Sequence, residues 1–287
     1  MSFEERIAPT SAPELVAEHE ARYRFARPAI RAAGTWCDLS CGTAAGSSRA
    51  MEGELPPRVV LTDIDREALA GATDRMARSC GGTAPGLESF VVDLASGTEL
   101  DALCRRLEEG PLPLVLTCFE VIEHLPTFVP LVTTLLELGR RGATVVLSAP
   151  NDAFSGVANP FHVTTWGSSS VAELRQMLPA DHVIAAQVSL EGTAITRPGH
   201  PLAAPLLPPD DQREVPPLAY LLAWGPAADS LGSCSVAAVG DTLGHRVWES
   251  QRDVDNQYFR TAAAQTERLS ARVAELEAEL ARRDGLR

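Results

Sequence analysis

The stretch Trp36-Cys37-Asp38-Leu39-Ser40-Cys41-Gly42-Thr43-Ala44-Ala45-Gly46-Ser47 sets a carboxylate at the end of an apolar run and follows it with a loop of small residues. A second apolar run, Val59-Val60-Leu61-Thr62, is capped by Asp63. A strand ending in a tight small-residue turn lets the start of the next helix come close to a ligand. A carboxylate ending the following strand is then placed to accept hydrogen bonds from ribose hydroxyls. Two glycines of the dinucleotide fingerprint are missing, with Ser40 and Ala44 in their places. Taken alone, the pattern therefore also describes an ordinary strand-to-helix connection.

Three more short strands follow in order. Phe90-Val91-Val92-Asp93-Leu94 carries a third acidic end, Leu114 to Leu125 is a strand running through Phe119-Glu120 into Glu123-His124, and Thr144 to Asn151 is a fifth. Strands alternating with helices from 36 to about 150 call for a mostly parallel sheet with helices on both faces, an α/β doubly wound fold. Ligands bind such sheets beyond the carboxyl ends of the strands. Asp38, Asp63, Asp93 and Glu120 all fall at those ends, as expected around a cationic, ribose-bearing ligand.

With these motifs in this order, the chain resembles the class I S-adenosylmethionine-dependent methyltransferases. The likeness is to the bacterial small-molecule and sugar group, which reads D-x-x-C-G-T-G-x-G-S, V-D-I-D, G-D-A, F-E-x-I-E-H-L and S-x-P-N. It extends upstream into Glu18-His19-Glu20-Ala21-Arg22-Tyr23-Arg24-Phe25-Ala26 and downstream into Asn159-Pro160-Phe161-His162-Val163, spanning roughly residues 14–190. The resemblance implies a Rossmann-like methyltransferase fold and S-adenosylmethionine as cofactor. It places Asp38 toward the methionine end through the turn of Ser40 and Gly42, and Asp63, with Ile64 beside it, on the ribose hydroxyls. It places Asp93 on the adenine amino group with the Leu94 backbone near the ring, and Phe119 and Glu120 along the methionine portion. Tyr23 would close over that portion from the lead-in helix. Asp93 also suits a helix N-cap, and Tyr23 a packed aromatic.

The departures lie in the loop, where Ala44 and Ala45 replace the group's second glycine and its usual aromatic, and at Pro113-Leu114, where the group has Phe-Asp. A methyl at 44 can narrow the cleft or force a different turn. Methyl transfer from a sulfonium is an in-line displacement, so the protein mainly supplies positioning, and a hydroxyl acceptor also needs a base. His124 is the first candidate and His162 the second, since histidine titrates near neutrality. The alternatives stay open: His124 bonding backbone at a helix start, and His162 pinning its loop.

Composition excludes several classes. All 25 basic residues are Arg, so no lysine base or Schiff base exists, and the net charge of −13 argues against a nucleic-acid substrate. No apolar run approaches bilayer length, and Met1 to Arg6 does not open a signal peptide. Cysteines at 37, 41, 80, 104, 118 and 234 show no metal spacing, so no metal site is expected, and a reducing cytoplasm fits.

The expected organisation is a helical cap over 1–34 and a methyltransferase domain over 35–250. That domain contains a substrate loop at 151–168 and a proline-rich excursion at 196–217. The cap reads as helix from Glu14 to Ala33, interrupted by Pro28. Ser170 to Leu178 reads as a helix and Val183 to Leu190 as a strand. Leu218 to Trp224 reads as the last buried strand, completing an antiparallel hairpin with 183–190. A tail over 251–287 carries Phe259, Ala262, Thr266, Leu269, Val273, Leu276 and Leu280 as a heptad seam. A narrow stripe favours a homodimer through this coiled-coil-like helix over a helix lying on its own domain.

Two readings of function follow. One is methyl transfer to a hydroxyl, or an amine, of a small molecule, sugar or glycosylated natural product. The other is a cofactor-poor protein acting through its helical tail as an interaction module. A nicotinamide-dependent oxidoreductase is disfavoured by the missing glycines and by Glu123-His124.

Overall fold

The computed structural model describes residues 13–51, 53–79, 86–155, 161–190, 192–196, 217–232, 234–238 and 268–273. A lead-in helix α1 (Pro13–Arg31) precedes β1 (Thr35–Leu39), α2 (Ala45–Ala50), β2 (Arg58–Asp63), α3 (Arg66–Ser79), β3 (Leu87–Val91), α4 (Gly97–Glu108) and β4 (Leu114–Cys118). Then come α5 (Val129–Arg140), β5 (Thr144–Pro150), α6 (Asp152–Ser155), α7 (Ser168–Met177), β6 (Val183–Leu190), β7 (Gly192–Thr196), β8 (Ala219–Trp224) and β9 (Cys234–Ala238). One sheet runs in the order β3-β2-β1-β4-β5-β8-β6-β7-β9. Pairing is parallel from β3 through β5 and antiparallel from β5 onward.

The period-2 geometry of strands divides the apolar residues between two cores. Trp36, Val59, Leu61, Val115, Val146, Leu221 and Ala223 face one side, where α1, α2 and α3 cover them. Cys37, Val60, Leu116, Val145, Leu147, Leu222 and Trp224 face the other, beneath α4, α5 and α7. A sheet buried on both faces explains why β1, β4 and β5 read as continuous apolar runs in sequence. Among the described residues, no helix is long and apolar enough to cross a membrane.

Several expectations need correction. The third strand lies at Leu87–Val91, so Asp93 and Leu94 stand beyond its end. Edge position accounts for the shift: β3 is half-exposed along its length and lacks the apolar run that marks a buried strand. α1 continues through Pro28. The strand at Ala219–Trp224 is not the last, because β9 follows it. It does pair antiparallel with β6, but β6 also pairs with β7 directly after it, so the expected simple hairpin is interrupted. Residues 197–216, most of the proline-rich excursion, lie outside the described residues, as does most of the tail seam. Within residues 268–273 the chain is helical, with Leu269 60% and Val273 53% exposed.

Candidate active site

The loop after β1 determines how closely anything can approach the sheet edge. Gly42 sits at φ +54°, and a Cβ built there would meet nothing within 4 Å, so the turn presents bare backbone to open space. Ala44 adopts φ 54°, ψ 28°, the left-handed conformation a glycine would take, as the residue preceding α2. Its methyl is buried in the core beneath α1, so the turn keeps its form and the methyl does not project into the cleft. At Gly46, a Cβ would lie 2.9 Å from His19 Cβ. The absence of a side chain there lets α2 press against α1.

Ser40 and Glu120 join Ala44 with positive φ, 55° each. Non-glycine residues in the left-handed region cost free energy that the surrounding structure must overcome, and such positions concentrate at functional sites. These three line the carboxyl edge of the neighbouring strands β1 and β4.

Asp38 is fully buried inside β1. The parallel register sets it opposite Thr117 of β4, whose hydroxyl donates to Asp38 Oδ1 at 2.7 Å. Trp36 Nε1 donates to that same hydroxyl at 2.9 Å, and the Tyr23 phenol lies 3.1 Å from both Asp38 oxygens. Tyr23 stacks edge-on against Phe119 with ring centroids 4.9 Å apart. The lead-in helix therefore seals the carboxylate from above. Burial pushes the Asp38 carboxyl up to about 7, against the hydrogen bonds from Thr117 and Tyr23 that favour its charged form. Burial, and then the charge of Asp38, raise the Tyr23 phenol well above its ordinary value.

The sign of the linkage follows. Asp38 in the folded chain holds its proton more tightly than the unfolded value of 3.8, so its contribution to stability is complete below about pH 4 and is lost as pH rises toward 7. Relative to Asp38→Asn, wild-type stability is expected to decline across this window, by on the order of a few kcal/mol. Urea unfolding of both proteins at four pH values checks this, and parallel curves would refute it.

Asp63, the last residue of β2, is 1% exposed. Its Oδ2 accepts the Gly42 N–H at 2.9 Å and a longer 3.5 Å bond from the Ser40 hydroxyl, and its Oδ1 accepts the Asp65 N–H at 2.9 Å. One carboxylate thus fastens the turn after β1 to the end of β2. Ile64 beside it is 60% exposed. Asp93 Oδ1 accepts the Ala95 N–H in a local turn, and Ser96, not Asp93, caps α4. Leu94 is buried next to it.

Glu120 lies just past β4. Its N–H donates to Ser148 Oγ and the Ser148 hydroxyl donates back to Glu120 Oε1, both at 2.9 Å. Arg22 lies 3.4 Å from the same carboxylate. Burial raises the Glu120 carboxyl, but Arg22, then His19 and the Ser148 hydroxyl, bring it below its ordinary value.

His124 ends a short 3-10 turn at Ile122–His124. Val163 and Thr164 donate their backbone N–H groups to the Glu123 carbonyl at 2.9 and 3.2 Å, drawing the loop after α6 onto this turn. His162 consequently faces His124 edge-on at 5.2 Å between ring centroids. His124 Nδ1 lies 3.0 Å from the Phe161 carbonyl, and His162 Nδ1 lies 2.5 Å from Asp152 Oδ1. Asp152 Oδ2 accepts the Trp166 N–H at 2.6 Å. The structure thus brings both candidate histidines together beside Glu123.

Sequence reasoning did not single out Thr117, Asp152, Ser148, Arg22 or Gln187. Thr117 is reachable from sequence only once the β1–β4 register is known. Arg22 stood inside the upstream motif, but its partners come from β6 and from the end of β4.

No protein-family model and no curated protein matches the chain. Solved structures do. The small RNA methyltransferase HEN1 superposes with a TM-score of 0.52 at 16% identity, over 82% of this chain and 29% of its own. The methyltransferase domain of bacterial CtHen1 gives 0.48 at 17%, over 73% of this chain and all of its own. The O-methyltransferase TomG from Streptomyces achromogenes, involved in tomaymycin synthesis and solved in complex with SAM, gives 0.41 at 19%, over 72% and 79%. With the strand order and the glycine turn described above, the likeness to HEN1 establishes that this chain adopts the Rossmann-like fold of the class I methyltransferases.

Proposed function

We propose that the protein transfers a methyl group from S-adenosylmethionine to a hydroxyl, or an amine, of a small molecule, sugar or glycosylated natural product. The observation that carries this reading is the union at one sheet edge of the Asp63–Gly42 anchor and the facing His124–His162 pair. The residues fit the cofactor. Gly42 leaves its side of the turn open, and the 3.5 Å contact from Ser40, longer than the two 2.9 Å backbone bonds on Asp63, is the one a ribose hydroxyl would replace. Ile64, Asp93 and Leu94 would meet the adenine side, with Tyr23, Asp38, Phe119 and Glu120 along the methionine side. Bound there, S-adenosylmethionine supplies a sulfonium methyl for in-line transfer.

The chain's own part is to hold the acceptor oxygen in line and to take its proton. His124 and His162 are the groups proposed to take it, their Nδ1 atoms facing the Phe161 carbonyl and the Asp152 carboxylate. The net charge of −13 disfavours a phosphate-rich acceptor. Residues 251–287 extend the proposal to a second copy of the chain through the seam containing Leu269 and Val273.

Full-length protein incubated with methyl-labelled cofactor and a panel of hydroxylated small molecules and glycosides is expected to label a hydroxyl-bearing acceptor. S-adenosylhomocysteine is expected to bind with heat measurable by calorimetry. No binding at millimolar concentration would reject the enzyme reading in favour of an interaction protein.

A further inference from the structure

The structure assigns the outer edge of the sheet to the docking of an acidic, extended peptide segment of a partner protein, which adds beside β3 as a further strand. β3 ends the strand order, and among the described residues no strand pairs with its outer side. Two backbone bonds fix its inner side. The Val59 N–H donates to the Gly86 carbonyl at 2.9 Å, and the Val92 N–H donates to the Asp63 carbonyl at 3.0 Å. In a parallel strand the N–H and C=O of one residue point the same way, and that direction alternates along the chain. Residues 86, 88, 90 and 92 therefore address β2, while the backbone groups of Leu87, Ser89 and Val91 point outward. Ser89 and Val91 are exposed. Such a row of outward donors and acceptors is the template on which an extended peptide adds to a sheet.

The edge borders a groove of about 730 Å³. α3 supplies Arg66 and Leu69 to it, α4 supplies Leu103 and Arg106, and Phe90 and Val91 of β3 lie between them. Leu69 and Leu103 belong to opposite cores, so the two helices wall the edge from opposite faces of the sheet. A slot of that shape suits one extended chain, whereas a second copy would have to bring its own α3 and α4 against these two. Charge then selects the partner's chemistry. The chain as a whole carries −13, yet this groove presents two guanidiniums, and among the described residues neither Arg66 nor Arg106 forms an ion pair. Arg106 lies over the Phe90 ring at 4.5 Å, a stacking that occupies one face of the guanidinium and leaves its N–H edge for a carboxylate. Glu99, the acid lining the groove, accepts the Asp93 N–H at 2.8 Å and is turned to its own loop. An added strand alternates its side chains between the two faces. Consecutive acidic residues on it therefore reach Arg106 on the α4 side and Arg66 on the α3 side.

This docking face does not depend on the methyl-transfer reading and stands whether or not S-adenosylmethionine binds. Charged side chains also serve in proteins to keep edge strands from pairing. The two roles give opposite results when the arginines are removed: a docking face loses its peptide, and a guarded edge begins to pair with itself.

The test is fluorescence anisotropy of a labelled, capped peptide, Thr-Val-Glu-Glu-Val-Thr, with the full-length protein. Binding is expected to saturate at one peptide per chain and to weaken as salt is raised. Lysines in place of the two glutamates should weaken it roughly tenfold or more, as should Arg66→Gln combined with Arg106→Gln. Two forms of the peptide, N-methylated at alternate residues, separate its two edges. The form blocked on the docking edge should lose binding and the other keep it. Ser89→Pro removes one outward N–H and no bond to β2, so it should fold and bind roughly tenfold more weakly or worse. Where that variant fails to fold, the N-methylated pair still decides. No binding at millimolar peptide, equal affinity for the lysine peptide, or equal affinity for both N-methylated forms overturns the proposal. Full competition by free glutamate or inorganic phosphate at the peptide's own concentration also overturns it, leaving a simple anion site. Self-association of the double arginine variant, with no peptide bound by wild type, would make the arginines guards of the edge. Wild-type self-association abolished by Ser89→Pro would seat a second copy there in place of a peptide.

Discussion

Asp63→Ala is expected to weaken S-adenosylhomocysteine binding by at least a hundredfold. The carboxylate has one task in the fold and, on the proposed reading, a second at the cofactor, and the substitution removes both. It fastens the Gly42 turn and the Asp65 backbone through two 2.9 Å bonds, and it stands where both ribose hydroxyls would find an acceptor. Hydrogen bonds to a charged group contribute about 1.5–3 kcal/mol each. Two ribose bonds lost at the lower figure already amount to about two orders of magnitude in affinity. Asp63→Asn keeps one oxygen as acceptor but presents an amide to a backbone N–H, and should fall between wild type and Ala. Calorimetry well below each variant's melting temperature checks this, since loosening the turn also lowers stability. An alanine variant binding within threefold of wild type would place the ribose elsewhere.

Strand residues and their acidic ends were legible in sequence because β1, β2, β4 and β5 are buried on both faces, and burial forces apolar runs. Edge strands carry no such mark. β3 is half-exposed and was displaced by a few residues toward Asp93. Gly192–Thr196 and Cys234–Ala238 are short and were not recognised as strands. Residue types at the candidate site were legible too, but their partners were not. Thr117 meets Asp38 only through the register of two strands far apart in the chain. Asp152 meets His162 only because Val163 and Thr164 bond the Glu123 carbonyl and fold the loop back. Local pattern reports which faces are buried; it does not report which loops meet.

The largest effect on stability is expected from Arg22→Met, a loss of about 3 kcal/mol, the lower end of the range for breaking a buried ion pair, because Arg22 is buried while the Glu120 side chain is 24% exposed. Arg22 is 2% exposed and ties three parts of the fold together. Its Nε donates to Gln187 Oε1 of β6 at 2.7 Å, its guanidinium lies 3.4 Å from Glu120, and Gln187 in turn donates to the Glu18 carbonyl of α1 at 3.0 Å. Methionine fills much of the volume but leaves Gln187 and Glu120 without the cation that faces them. Glu120 should suffer most, because burial already disfavours its charge and Arg22 is the main counterweight. Adding Glu120→Gln should therefore recover part of the loss: the double variant is expected to be more stable than the sum of the two single changes by more than about 1 kcal/mol. Chemical unfolding of wild type, both single variants and the double variant closes the cycle. Strict additivity would mean that the pair is not coupled. The lead-in helix would then be held chiefly by its apolar face, Ala21, Phe25, Ala29 and Ile30 against the sheet, with the Tyr23–Asp38 contact and the ion pairs to Glu54 beside it.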